Sequence, residues 1–304
     1  MTRLSIHDPA AITVPHDNSR PRYLPHLAQP EVLQMGLSPL QAKPWIETDS
    51  DLGRYHRHKQ QQRARHGERV YRADPGSTAA QRELGRRLLL HLTEEQAQLY
   101  RLAEGALVCE HGGFSVVIDD PEPLWCCSLW VADDLVIMEK RGSEYHLTAA
   151  SLCSPSHWQL EEKFGRPMRE IHDPIPGFHR RLSPSIERFF DHLRPEHPVV
   201  RYNWSLQAGG RLSQRLEETE DCPPDAALFY RTERQSLMRL PQSGAIAFTI
   251  RVYLHPLETL AGIPGALPAL FAALDATPPA LARYKGFDRL APAVSRYRSV
   301  FPSL

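Results

Sequence analysis

Ten residues late in the chain, AIAFTIRVYL (245–254), alternate so regularly that Ile246, Phe248, Ile250, Val252 and Leu254 must share one face of a β-strand. The stretch before them, LFYRTERQSLMRL (228–240), is built from strand formers but interrupted by Arg231, Glu233, Arg234 and Gln235. Between the two lies PQSG, a loop signature. Pro241 has no amide hydrogen to give to a ladder, so the loop runs 241–244 and Leu240 pairs with Ala245. That register sets Leu237 beside Phe248, Gln235 beside Ile250, Glu233 beside Val252 and Arg231 beside Leu254, bringing three polar side chains onto an apolar face. A loop one residue longer or shorter would bring Thr232 and Arg234 there instead. Charges on such a face need partners: either Arg231 and Glu233 form an ion pair within the sheet, or the face lines a cavity and meets a ligand.

The remaining sequence surrounds this hairpin with mixed structure. STAAQRELGRRLLLHLTEEQAQLY has Leu84, Leu88 and Leu92 on one helical face, with Ser77 or Thr78 as cap. FSVVIDD, LWVADDLVIMEKR and EYHLTAASLC read as strands, PSHWQLEEKFG as a short helix ended by Gly165, and SPSIERFFDHL as a helix capped by Ser183 or Ser185. VVRYNWSLQAGG begins the last strands, and ALPALFAALDATPPALARYKG is helical. Strands on both sides of short helices predict an α+β fold with one antiparallel sheet. We divide the chain into an N-terminal arm and helical region (1–105), a central domain (106–260) and a C-terminal helical segment (261–304). The first thirty residues, with Pro9, Pro15, Pro21, Pro25 and Pro30, read as an irregular arm over the body.

Bulk properties exclude several classes. At 304 residues, 41% hydrophobic and 24% charged, the chain can build an adequate core. Its formal net charge of zero gives no reason to expect nucleic acid or an anionic membrane as partner. There is no apolar run of about 18 residues and no secretory leader pattern at the start. The five cysteines are odd in number, Cys126 and Cys127 are adjacent, and no C-x-x-C occurs. A reducing cytoplasm is expected, without a structural zinc, an iron–sulfur cluster or covalent haem on this chain. Cys109, Cys153 and Cys222 read as small buried apolar residues. Between Arg54 and Arg72 stand seven Lys or Arg and three His against one acid, Glu68, which reads as a solvated helix face or as a docking patch for an acidic partner.

One histidine stands apart. In KFGRPMREIHDPIPGFH (163–179), His172 precedes a turn set by Pro174, Pro176 and Gly177. Held that way, an imidazole suits a metal or haem-iron ligand, although a hydrogen-bonded structural histidine satisfies the same pattern.

Four stretches, QMGLSPLQAKPWIETD, SHWQLEEKFGRPMREIHDPIPG, VVRYNW and YRTERQSLMRLPQSGAIAFTIRVYL, together resemble the haem-dependent oxidative N-demethylase family, from about Arg22 to Tyr284. The resemblance implies a PAS-like domain holding haem b without covalent bonds, activating O2 and demethylating dimethylamine or a similar small amine. It also implies electrons from NADPH through separate FMN and iron–sulfur subunits, consistent with a chain lacking both G-x-G-x-x-G and a P-loop. The family's IHxPxPG motif falls on His172, the expected axial ligand, with Tyr145 and His146 of EYHL as competitors for the pocket. Its R-x-E-R-Q motif falls on Arg231, Glu233, Arg234 and Gln235. Arg231 and Glu233 then suit the reacting side, with Tyr145 as a further catalytic candidate, and Arg234 or Arg201 suits the haem propionates. A PAS-type sensor without turnover is the alternative.

Overall fold

The computed structural model describes residues 19–40, 44–178, 183–215 and 222–301. The expected irregular start around Pro9 and Pro15, and the capping hydroxyls of Ser183 and Ser185, lie outside what it describes. The strands are β1 (Ser38–Pro39), β2 (Tyr71–Ala73), β3 (Tyr100–Ala103), β4 (Ala106–Cys109), β5 (Phe114–Val117), β6 (Asp134–Arg141), β7 (Glu144–Ser151), β8 (Val199–Ala208), β9 (Leu228–Arg239) and β10 (Ile246–Pro256). Seven of them form an antiparallel sheet in the order β1-β8-β9-β10-β6-β7-β2, and β3-β4-β5 form a small meander. The fold is therefore α+β, with edge strands supplied by the N-terminal region.

The hairpin has the expected register. Leu240 N donates to Ala245 O at 2.8 Å, and Leu237, Gln235, Glu233 and Arg231 face Phe248, Ile250, Val252 and Leu254. Gly244, at φ +73°, supplies the left-handed residue that closes the loop. β8 continues the ladder on the other side, pairing Arg201 with Gln235 and Asn203 with Glu233.

Helices cover both faces. They are α1 (Pro25–Ala28), α2 (Leu52–His66), α3 (Thr78–Glu94), α4 (Pro123–Ser128), α5 (Leu160–Lys163), α6 (Met168–His172), α7 (Ser183–His192), α8 (Ala266–Ala276), α9 (Pro279–Tyr284) and α10 (Phe287–Val300). In β6, Leu135 and Ile137 join a back core with Leu84, Leu88 and Leu92 of α3, while Val136 and Met138 join a front core with Ile171 and Phe190. Burial on both sides explains why β6 reads as a nearly continuous apolar run. A third core gathers α8 and α10 against Trp204, Leu206 and Tyr230. All five cysteines are free, and all but Cys222 are buried. Among the described residues no helix is long and apolar enough to cross a membrane.

The basic stretch from Arg54 to Arg72 is divided between solvent and the interior. Lys59 is buried and donates to the carbonyls of Ser128 and Asp133. His56 and His58 bond the carbonyls of Leu129 and Cys153 at 2.9 and 2.8 Å. Arg63 meets Glu122 at 2.9 Å and Arg69 meets Glu161 at 2.8 Å. Arg54, Arg57 and Arg65 stay exposed, so the stretch is in part the solvated helix face read from the sequence, while Lys59, Arg63 and Arg69 are taken by partners far away in the chain.

Candidate functional site

On the front of the sheet a cavity of about 290 Å³ opens between β6, β8, β9 and β10 and a cover formed by α6, α7, residues 154–158 and the 281–285 turn. One further wall is the arm, from Val32 to Leu37. Most of the lining is apolar: Val136, Met138, Leu237 and Phe248 from the sheet, Ile171 and Phe189 from the cover. The volume and the apolar walls with a few convergent polar groups are those of a small-molecule site.

The polar groups gather where β8 and β9 run side by side. Period-two alternation turns Arg201, Asn203, Glu233 and Gln235 to the cavity. Glu233 Oε1 accepts from Arg231 Nε at 2.9 Å; its Oε2 accepts from Gln235 Nε2 at 3.0 Å and Asn203 Nδ2 at 3.3 Å. Burial alone would raise the Glu233 carboxyl, but Arg231 and Lys285 outweigh it and hold the group below its ordinary range. Glu233 is therefore anionic at neutral pH. Arg231 stands behind it, buried, donating to Leu212 O at 3.0 Å, Ser154 O at 2.6 Å and Gln207 Oε1 at 3.4 Å. Both readings of the hairpin are thus realised at once: the pair exists within the sheet, and its carboxylate lines a cavity.

Arg201 donates through Nη2 to Gln34 O in the arm at 2.9 Å, while its Nε is buried without a hydrogen-bond partner. Lys285, on the turn after α9, lines the same end. Burial pushes its ammonium down, against the pull of Glu233.

His172 ends α6 and lines the cavity. Its Nδ1 lies 2.9 Å from the Met168 carbonyl one turn back, which can only accept, so Nδ1 carries the proton and the lone pair is on Nε2. The ring stacks on Phe178 with centroids 4.4 Å apart and planes 8° apart. A backbone carbonyl therefore sets the tautomer.

Three candidates lie elsewhere. Arg234 projects from the opposite side of β9, where it is buried, 3.2 Å from Glu47 and 2.9 Å from the Trp45 carbonyl. Its position one residue out of phase with Glu233 keeps it off the cavity wall, which corrects its expected role beside a propionate. Tyr145 lines a separate crevice of about 10 Å³, where its hydroxyl accepts from Arg239 Nη2 at 2.9 Å and lies 3.3 Å from Asp191 Oδ1. It ties β7 to α7 and does not reach the cavity. His146 bonds the Gly165 carbonyl at 3.0 Å, also away from the cavity lining.

Two groups were not foreseen. Lys285 comes from a turn some fifty residues beyond Glu233, and no motif marks it. His157 sits between two cavity-lining residues, Ser156 and Trp158, with a left-handed backbone (φ +56°) and a buried Nδ1 without a partner. Burial pushes its imidazole down to about 4, with Arg289, Arg231 and Lys285 adding to the effect. A strained, neutral histidine beside a cavity is a recurrent feature of functional sites.

Residues 36–295, most of the chain and all of the polar cluster, match the family described as haem-dependent oxidative N-demethylase, alpha subunit-like. The chain belongs to that family. For a haem-dependent oxidative N-demethylase alpha subunit-like protein the implied prosthetic group is haem, and the residues present suit it. The walls offer apolar surface to a macrocycle, and the His172 tautomer leaves the ligating lone pair on Nε2. Arg201 keeps a buried donor in want of an acceptor. Among the described residues no cluster of three or more His, Cys, Asp or Glu offers an alternative metal site.

Proposed function

We propose that this protein is the haem-binding catalytic subunit of an oxidative N-demethylase acting on dimethylamine or a comparably small secondary amine, with a PAS-like arrangement of sheet and cover around the haem. The observation that carries the reading is the pairing, in one apolar cavity, of an oriented imidazole with a carboxylate kept anionic. Bound haem supplies the O2 activation that converts one N-methyl group to formaldehyde.

The chain's own residues do the rest. His172 would hold the haem iron through Nε2, and the bond from Nδ1 to the Met168 carbonyl keeps the ring in place and raises its basicity. Glu233 accepts the N–H of the alkylammonium and so fixes which methyl group faces the reaction. Arg231 keeps Glu233 charged and still, held by the carbonyls of Leu212 and Ser154. Phe248, Ile171 and Phe189 exclude water, which strengthens each of these contacts. Electrons come from NADPH through FMN and iron–sulfur partner subunits, in keeping with the word subunit in the family's description.

The test is a visible spectrum of the purified protein with haem, followed by formaldehyde release from dimethylamine in the presence of O2 and a chemical electron donor. His172→Ala is expected to fold, lose the histidine-ligated spectrum and abolish formaldehyde release, with partial recovery of the spectrum by added imidazole. A histidine-ligated spectrum unchanged in that variant would remove His172 from the iron.

A further inference from the structure

The polar end of the cavity is unbalanced. Arg201 and Arg231 both lie within electrostatic reach of Lys285 there, and Glu233 is the carboxylate all three share. The other acid in the lining, Asp134, is already committed: it accepts from the amides of Cys153 at 3.0 Å and Ser154 at 2.7 Å and lies 4.0 Å from buried Lys59. Arg231 has four of its five N–H donors taken by Glu233, Gln207, Leu212 and Ser154. Arg201 and Lys285 are therefore the surplus cations. The cavity lining holds two buried polar atoms without a hydrogen-bond partner, Arg201 Nε and the Ser154 hydroxyl. Buried donors without acceptors and like charges crowded together cost free energy unless a ligand answers them. A bare alkylammonium would add a further positive charge to this corner.

We infer that Arg201, Lys285 and Ser154 form a carboxylate-binding subsite, distinct from the ammonium-accepting edge of Glu233. A carboxylate supplies the missing charge and two acceptor oxygens; phosphate, with more acceptor oxygens and more charge, asks for more donors than the corner offers. The carboxylate comes either from a haem propionate or from the ligand itself, as in an N-methyl amino acid whose ammonium meets Glu233 and whose carboxylate meets Lys285. The inference rests on the cavity being the binding site, and on the proposed function only where the source is haem.

The experiment measures dissociation constants for the full chain, its Lys285→Met variant and its Lys285→Arg variant. The probes are protohaem, protohaem dimethyl ester, N-methylglycine, dimethylamine and inorganic phosphate. If propionate is the source, esterification and Lys285→Met each weaken haem binding about tenfold, the two losses do not add, and Lys285→Arg retains most of the affinity. If the source is the ligand, Lys285→Met leaves both porphyrins unchanged and weakens N-methylglycine about tenfold relative to dimethylamine. Failure of the chain to bind any porphyrin, with N-methylglycine still bound through Lys285, would end the haem reading and keep the carboxylate subsite. The inference is overturned if Lys285→Met changes none of the carboxylate probes, or if phosphate binds more tightly than they do with the same dependence on Lys285. Thermal denaturation of each variant shows that a lost affinity is not lost folding.

Discussion

Arg231 and Arg234 sit three positions apart on one strand and are both buried, yet the sheet puts them into different chemistry. On the back, Arg234 joins Arg22 around Glu47, which also accepts from the hydroxyls of Tyr23 and Tyr253; the ring of Tyr202 packs 4.5 Å from that of Tyr23. Nearby, Arg251 pairs with Asp49 and lies over the Tyr55 ring at 3.9 Å. These charges bind the N-terminal arm to the sheet. On the front, Glu233 keeps an edge toward a cavity that Arg201 and Lys285 also line. The difference teaches that a buried charge marks a binding site only when its surroundings leave it something to bind; charge and burial alone describe both faces equally well.

Neutralising one carboxylate on each face is the strongest way to break this comparison. Glu47→Gln leaves Arg22 and Arg234 without their anion, a loss of about 3–5 kcal/mol, read by urea denaturation. Glu233→Gln keeps Arg231 bonded to its carbonyls and is expected to cost about 1–2 kcal/mol, while shifting ligand affinity. Equal losses from both would put Glu233 among the structural charges.

Acid sharpens the contrast next. His26 bonds Tyr230, one residue before Arg231, through Nδ1 at 2.7 Å and the Ala266 carbonyl through Nε2 at 3.0 Å, and burial pushes its pKa down to about 4. Because the unfolded chain takes up the proton first, stability present above pH 6.5 is lost as pH falls toward 4, by about 3 kcal/mol for this group. His26→Gln should flatten thermal stability over that window, after allowance for His58, which is also pushed down to about 4. An unchanged slope would show that His26 takes no part in acid unfolding.

Asp133 works in the opposite direction. Both carboxylate oxygens are buried without a hydrogen-bond partner, and burial pushes the group up to about 6. Here the folded state holds the proton longer, so stability falls as pH rises from about 4 through 6, by roughly 2–3 kcal/mol. Asp133→Asn should therefore raise the melting temperature at pH 8 and have little effect at pH 4. A lower melting temperature at pH 8 would mean that Asp133 pairs favourably with Arg251 despite its burial.

Tyr145→Phe should have the smallest effect, about 1 kcal/mol from one good hydrogen bond to Arg239, with haem affinity unchanged. Altered haem affinity would return Tyr145 to the site.

Much of this was legible locally. Pro241 and the alternation after it determined the hairpin register, and that register alone predicted Glu233 and Gln235 on one face. The proline-set turn after His172 marked a positioned imidazole. The two alternatives for Arg231 and Arg234 differed by one residue of loop, and Leu240 donating to Ala245 decides between them. What stayed hidden depends on distant partners. Tyr145 shares a face with Leu147, but contact with α7 directs its hydroxyl away from the cavity. Arg63 and Arg69 read as surface charge until Glu122 and Glu161 arrive from other elements. Lys285 belongs to the site only because a helix turn beyond the sheet folds back over it.

The arm carries one more consequence, for how members of this family are compared. The match to the family covers residues 36–295, whereas Val32, Leu33, Gln34 and Met35 already form part of the cavity wall. Arg201 grips this wall through the backbone carbonyl of Gln34, a contact that any side chain at that position leaves intact. Comparing members over the matched residues alone therefore leaves out side chains that wall the cavity.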